Sequence, residues 1–395
     1  MKNSIYIPSL SRGPIADSFR NNTQIGNQTI KFYSDKISPD LFYPHFLITA
    51  GHYYKKINAS ENFGLDLKND NKIVLGDSGG YQIAVGSIKY SNDIVVKILN
   101  WLENNSNIAI NLDIPPRKNN EFDECMKLSE YNFKYFYENQ TNKTQFLSVL
   151  QGITRKQFTE WYNMSSKYPF KGWAIGGLNG VIKNFILGFT ILFDNKEHLK
   201  SHNKYFHVLG TTRLLDLILL ERIQKNMHII NPNIQFMTDS SSPSRSAMFG
   251  NLYYDFDYNS LSYKSMYIPR EQKYDLTSHL PRASFYNDYL VKHTTLEDLI
   301  KYDIFGYAIA TLHNFYFMVE SFKKIQALTH SDDYIIKQIV SNDIYKLIHS
   351  IDEIMFSDTP LKIFNKYEQF YDDNFKNVIE VKQMKDENIN SLFGF

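Results

Sequence analysis

Short runs of β-branched, aromatic and aliphatic residues recur along this chain, many of them ending in glycine or aspartate. They cover Ser4–Ser9, His45–Ala50, Lys72–Gly76, Ile108–Asp113, Phe146–Gln151, Trp173–Gly177, Tyr205–Gly210 and Gln235–Asp239. Their starts lie about 27 to 41 residues apart, which is room for a strand, a crossover helix and two loops each time. Between them the period changes to helical. In Ser91–Glu103 the residues Ile94, Val95, Ile98, Leu99 and Leu102 fall on one face, and Leu214–Ile223 repeats the pattern. Eight βα units specify an α/β chain and point to a (β/α)8 TIM barrel. A doubly wound open sheet shares the rhythm and is the alternative at this level.

After Asp239 the rhythm breaks. Residues 250–305 are rich in Tyr, contain Pro269 and Pro281, and show no clear period. They read as an irregular insertion after the eighth strand. Helical periodicity returns from about Tyr307, in Phe315–Leu328 and Asp333–Ile351. The expected organisation is a barrel core over 1–249, an insertion subdomain over 250–305, and a helical C-terminal region over 306–395 that closes the barrel.

Of the 395 residues, 43% are hydrophobic and 22% charged, a globular balance that argues against disorder. Lys+Arg is 43 against 42 for Asp+Glu. Such a chain has no global field for nucleic acid, so binding must come from local patches. The single cysteine, Cys125, excludes an intramolecular disulfide and a Cys-rich zinc cluster. The longest apolar run, Phe185 to Phe193, is broken by Gly188 and Thr190 and falls short of the roughly 18 residues that span a bilayer. No secretory stretch opens the sequence. The expectation is a soluble cytoplasmic protein with no membrane partner.

The polar strand ends are where barrel chemistry is built. Asp77 ends the third strand in Gly76-Asp77-Ser78-Gly79-Gly80-Tyr81-Gln82. Asp113 ends the fourth, Gln151-Gly152 the fifth, Gly176-Gly177-Leu178 the sixth, and Asp239 the eighth. An Asp after a strand is also a common helix N-cap, and Gly-Gly a common turn. Three such aspartates and a Gln at one mouth suit double displacement at a sugar carbon, one carboxylate attacking C1′ and another handling the leaving group's proton.

These segments resemble a known family. DSGGYQ at Asp77–Gln82, LDIPP at Leu112–Pro116, LQG at Leu150–Gly152, AIGGL at Ala174–Leu178, LG at Leu209–Gly210 and the block Asp239–Gly250 occur in the order seen in tRNA-guanine transglycosylases. Ala310-Thr311-Leu312-His313-Asn314 resembles that family's late Ile-His-Asn segment. The resemblance extends over roughly residues 40 to 325. It implies a ping-pong exchange of guanine for a 7-deazaguanine. Asp239 would be the nucleophile and Asp77 the general acid/base. Asp113, Gln151, Ser78, Gly176, Gly177 and Leu178 would contact the base. Tyr81 and Leu209, with Gly210 beside it, would cover its faces.

The departures are informative. The family's Cys-x-Cys-x-x-Cys zinc cluster has no counterpart. Tyr274–Ser284 offers Thr277, His279 and Arg282 instead, so His313 alone is kept and no metal or other cofactor is expected. The run after Gly-Gly-Leu, Asn179-Gly180-Val181-Ile182, lacks the Glu that accepts an aminomethyl group. That favours a neutral 7-substituent such as the nitrile of 7-cyano-7-deazaguanine. Met248 stands where bacterial tRNA enzymes carry a second Arg. Together these features resemble the bacterial and phage branch that inserts 7-deazaguanines into DNA, which would place a phage-encoded copy in the host cytoplasm. The partners implied are DNA and the free 7-deazaguanine base. A tRNA enzyme with a degenerate zinc site and an inactive nucleic-acid-binding subunit are the alternatives, and monomer and dimer are both open. Arg245, Lys264, Arg270, Lys273, Arg282 and Lys292, interleaved with Tyr263, Tyr267, Tyr274 and Tyr286, form the expected nucleic-acid surface.

Overall fold

A computed structural model describes residues 2–9, 16, 18, 21–55, 72–117, 121–178, 180–268, 287–301, 303–376 and 381–383. All eight expected strands are present: β1 (Ile5–Pro8), β2 (Phe46–Thr49), β3 (Val74–Asp77), β4 (Ile108–Ile110), β5 (Gln145–Leu150), β6 (Gly172–Ile175), β7 (Tyr205–Val208) and β8 (Gln235–Ser240). They form one parallel sheet in the order β1-β8-β7-β6-β5-β4-β3-β2. The ring is nearly closed where β1 lies against β2, and there the Tyr43 hydroxyl donates to the Tyr6 carbonyl at 2.6 Å. The chain therefore folds as a (β/α)8 barrel, not an open doubly wound sheet. All four residues of β2 and of β6 are buried, as expected for strands covered on both faces.

The outer helices include α1 (Asn92–Asn105), α2 (Phe122–Asn139), α3 (Arg155–Ser165), α4 (Ile182–Asp194) and α5 (Leu214–Ile230). Ser91 starts α1 by accepting the Ile94 N–H at 3.3 Å, and Thr154 starts α3 by accepting that of Gln157 at 3.3 Å. Val95, Ile98, Leu99 and Leu102 of the expected α1 face are buried. α5 is not the one-faced helix its apolar period suggests: Asp216, Glu221, Arg222 and Gln224 are buried with the leucines.

The cause is a second helical layer. α6 (Ser242–Met248) follows β8, and α7 (Ile304–His330) supplies the eighth barrel helix, packing on α5 and β1. α8 (Asn342–Met355) then lies on α5, and α9 (Pro360–Phe375) lies on α4. The apolar run Phe185–Phe193 is thus buried core within α4. No helix among the described residues is long and apolar enough to cross a membrane. Arg222 fixes the layer, donating to both carboxylate oxygens of Asp352 at 2.8 and 2.7 Å and to Asp333 at 3.1 Å.

The stretch expected to be irregular contains order. β9 (Asn251–Asp257) and β10 (Ser262–Tyr267) form an antiparallel ribbon, with Val381–Gln383 paired parallel to β10. A register shift between Tyr253 and Asp255 breaks the alternation that would have betrayed the strands. Helix α7 holds the ribbon. Asn314 accepts the Tyr253 N–H at 2.9 Å and donates to the Asn251 carbonyl at 2.9 Å, while His313 Nε2 lies 2.8 Å from the Tyr253 carbonyl.

Candidate active site

The C-terminal ends of β3 and β8, and the loop after β4, bring Asp77, Asp239 and Asp113 to one mouth of the barrel. Backbone room makes this possible. A Cβ on Gly80 would stand 1.8 Å from the Asp113 carbonyl oxygen, so only glycine lets the turn after β3 pass beneath that loop. Gly177 has φ +71°, and a Cβ there would lie 2.7 Å from the Gly152 carbonyl oxygen. Beside it, Gly176 leaves the space that Gln151 occupies.

The three carboxylates have different surroundings. Asp239 Oδ1 lies 2.9 Å from His207 Nε2 and accepts the Gly210 N–H at 2.9 Å. Asp77 accepts the Gly79 N–H at 3.3 Å. Burial, opposed by that bond and reinforced by the Asp239 charge, pushes the Asp77 carboxyl up to about 6, with the Thr49 hydroxyl and His207 pulling the other way. Asp113 is buried and accepts from Gln151 Nε2 at 2.7 Å. Burial, opposed by this bond and assisted by the Asp77 charge, raises Asp113 to about 7. Gln151 Oε1 is buried without a partner.

Some expected contacts take another form. The Ser78 hydroxyl donates to the Asn111 carbonyl at 3.1 Å, tying β3 to the end of β4 rather than facing the mouth as a free donor. The Gly210 amide donates to Asp239. Leu178 is buried and Leu209 half-buried, whereas Tyr81 is 64% exposed on the short helix Gly80–Ala84. His207 and Thr49 were missed. The signal for His207 was available: a His between Phe206 and Val208 in a strand that buries both faces.

Among the surface candidates, Arg245 and Lys292 are exposed and Lys264 is ion-paired with Asp255 at 2.8 Å. Arg270, Lys273 and Arg282 lie outside the described residues, as do Tyr274, Tyr286, Thr277 and His279. Tyr263 is no stacking platform, being buried with its hydroxyl donating to the Thr212 carbonyl at 2.9 Å. Tyr267 is exposed, as are Met248 and Phe249 at the end of α6.

His313 Nε2 faces the Tyr253 carbonyl and the one cysteine sits on α2; among the described residues no group of three His, Cys, Asp or Glu is placed to hold a metal ion. A concavity of about 660 Å³ bordered by Tyr54, Asn100, Trp101 and Lys143 lies where α1 ends and β5 begins, at the opposite end of the barrel. Glu197, also away from the mouth, is saturated by Tyr162, Trp173, Asn203 and Lys200. No protein-family model matches the chain, and no curated protein matches it.

Proposed function

We propose that the chain is a transglycosylase that exchanges guanine in DNA for a 7-deazaguanine, by double displacement through a covalent Asp239–sugar intermediate. The observation that carries this reading is the pairing of Asp239, anchored through one oxygen, with Asp77, whose carboxyl is raised to about 6. One is built to attack. The other can give and take a proton near neutrality.

In the first half-reaction an Asp239 oxygen bonds to C1′ as the C1′–N9 bond breaks. The bonding pair leaves with guanine, which takes a proton from Asp77. In the second, Asp77 removes a proton from the incoming 7-deazaguanine, whose N9 attacks C1′ and releases Asp239. Two inversions retain configuration, and no triphosphate is consumed. Asp113 and Gln151 offer donors and acceptors to the edge of a purine, and the exposed Tyr81 offers a ring to its face. The target guanine must leave the stack to reach the mouth, and Arg245, Phe249 and Tyr267 supply a cation and exposed rings for an opened strand.

The 7-substituent follows from charge. After Gly177 the described loop carries no carboxylate, and the Gly180 carbonyl is held by Arg213, itself paired with Asp216 at 2.7 Å. An ammonium group would lose its hydration there without a counter-charge. This supports the neutral 7-cyano-7-deazaguanine as substrate.

The test incubates pure protein with isotope-labelled 7-cyano-7-deazaguanine and, separately, duplex DNA, single-stranded DNA or unmodified tRNA. Nucleosides are then analysed by mass spectrometry. Label in deoxynucleosides is the expected result. Label in tRNA alone would overturn the substrate but keep the chemistry, and label in none would overturn the proposal.

A further inference from the structure

We propose that His207 is the positioning residue for the nucleophile: with the Gly210 amide it occupies Oδ1 of Asp239 and so makes Oδ2 the attacking oxygen. This rests on the transglycosylase reading above. His207 is fully buried in β7, its backbone in register with Met237 of β8 and Ala174 of β6. Its Nε2 and the Gly210 nitrogen both stand 2.9 Å from Oδ1. A carboxylate only accepts, so Nε2 carries the hydrogen in this contact. Two donors on one oxygen fix the plane of the carboxylate and lower the charge density on that oxygen, leaving Oδ2 the better nucleophile.

The other ring nitrogen decides what His207 does not do. Nδ1 is buried and has no hydrogen-bond partner. A general base that moves protons needs an outlet or an orienting group behind it. This ring has neither, so it holds Asp239 and does not relay a proton. Stability alone does not account for it, because an unpaired buried ring nitrogen is unfavourable where an apolar side chain would pack.

The experiment compares His207→Met with His207→Gln. The two side chains are close in length and volume, and only Gln places an amide N–H near the Nε2 position. Single-turnover formation of the covalent protein–DNA adduct is followed by denaturing electrophoresis, with Asp239→Asn as blank. Met is expected to slow adduct formation on the order of 10²-fold, the cost of a misplaced reacting atom. Gln should recover most of that loss. KM for the free base should stay within about twofold in both, because Asp113 and Gln151 are untouched. The pH profile should keep its shape and drop uniformly. Adduct formation by the Met variant at the wild-type rate would overturn the inference and leave the transglycosylase reading intact. A Met variant that loses one limb of the profile would show a proton relay and also overturn it. Absence of an adduct from the wild type on every nucleic acid would overturn both. Should Met fail to fold, the inference rests on Gln: a folded Gln variant slowed beyond about 10²-fold refutes it, and one within about tenfold of wild type supports it.

Discussion

Replacing Asp113 by Asn should stabilise the protein, and more so at high pH. The Asp113 carboxyl is raised from 3.8 to about 7, chiefly by burial. Between those values the folded state holds a proton that the unfolded chain has released. The associated stability is full below about pH 4 and is lost as the pH rises through about 7. At about 1.4 kcal/mol per unit, the loss is roughly 1.7 kcal/mol at about pH 5 and about 4 kcal/mol at about pH 8. Asn removes the titration, and its amide oxygen can still accept the Gln151 N–H that now lies 2.7 Å from Oδ2. The Asp113→Asn variant should therefore gain about 2.5 kcal/mol more at about pH 8 than at about pH 5, relative to wild type. Asp77 titrates in both proteins and largely cancels. Urea midpoints at the two pH values measure this difference, with m-values checked for constancy. An equal shift at both pH values would refute the argument, because it would mean that Asp113 does not titrate near neutrality. Under the proposed function the same variant should bind the free base more weakly, since the residue that costs stability would also contact the purine edge.

Three further outcomes follow from the contacts. Arg222→Met leaves the carboxylate of Asp352 with Asn226 and the more distant His349 and the helical layer unclamped, so a loss of about 3 kcal/mol is expected in urea unfolding. Asn314→Leu strips partners from the Tyr253 N–H and the Asn251 carbonyl, and should cost about 2–4 kcal/mol by the same measurement. Tyr81→Ala should change stability by less than about 0.5 kcal/mol, because the ring is 64% exposed. Under the proposed function its loss of stacking, about 1–3 kcal/mol, should appear as a rise of roughly 5- to 150-fold in KM for the free base, read from steady-state exchange.

The barrel was legible because its strands are buried on both faces and read as compact apolar runs at crossover spacing. The carboxylates were legible because they end those runs. What escaped the sequence did so for identifiable reasons. The β9–β10 ribbon is hidden by the register shift at Tyr253/Asp255. The burial of α5 on all sides is set by α8, which lies more than a hundred residues away in the chain. His207 is a single polar residue, and only the neighbouring strand shows that its ring meets Asp239. The roles of Ser78 and Gly210 turn on which way a hydroxyl and an amide point, which spacing does not encode.

Three carboxylates at one mouth cannot all be charged without cost. The fold separates them by the donors it places around each one. Asp239 has two N–H contacts on one oxygen. Asp113 has the Gln151 amide, itself buried, and its own backbone N–H. Asp77 has a long bond from Gly79 and the Thr49 hydroxyl, set against burial and the Asp239 charge. All three are aspartates, so residue type assigns none of the roles. A carboxylate fixed by two donors on one oxygen presents the other for attack, whereas one pressed by burial and a like charge favours its proton and suits acid/base work. By that reasoning Asp77 and Asp239 are not interchangeable. Asp77 left alone by Asp239→Asn should give no adduct, since its Gly79 contact is long and burial favours its protonated form.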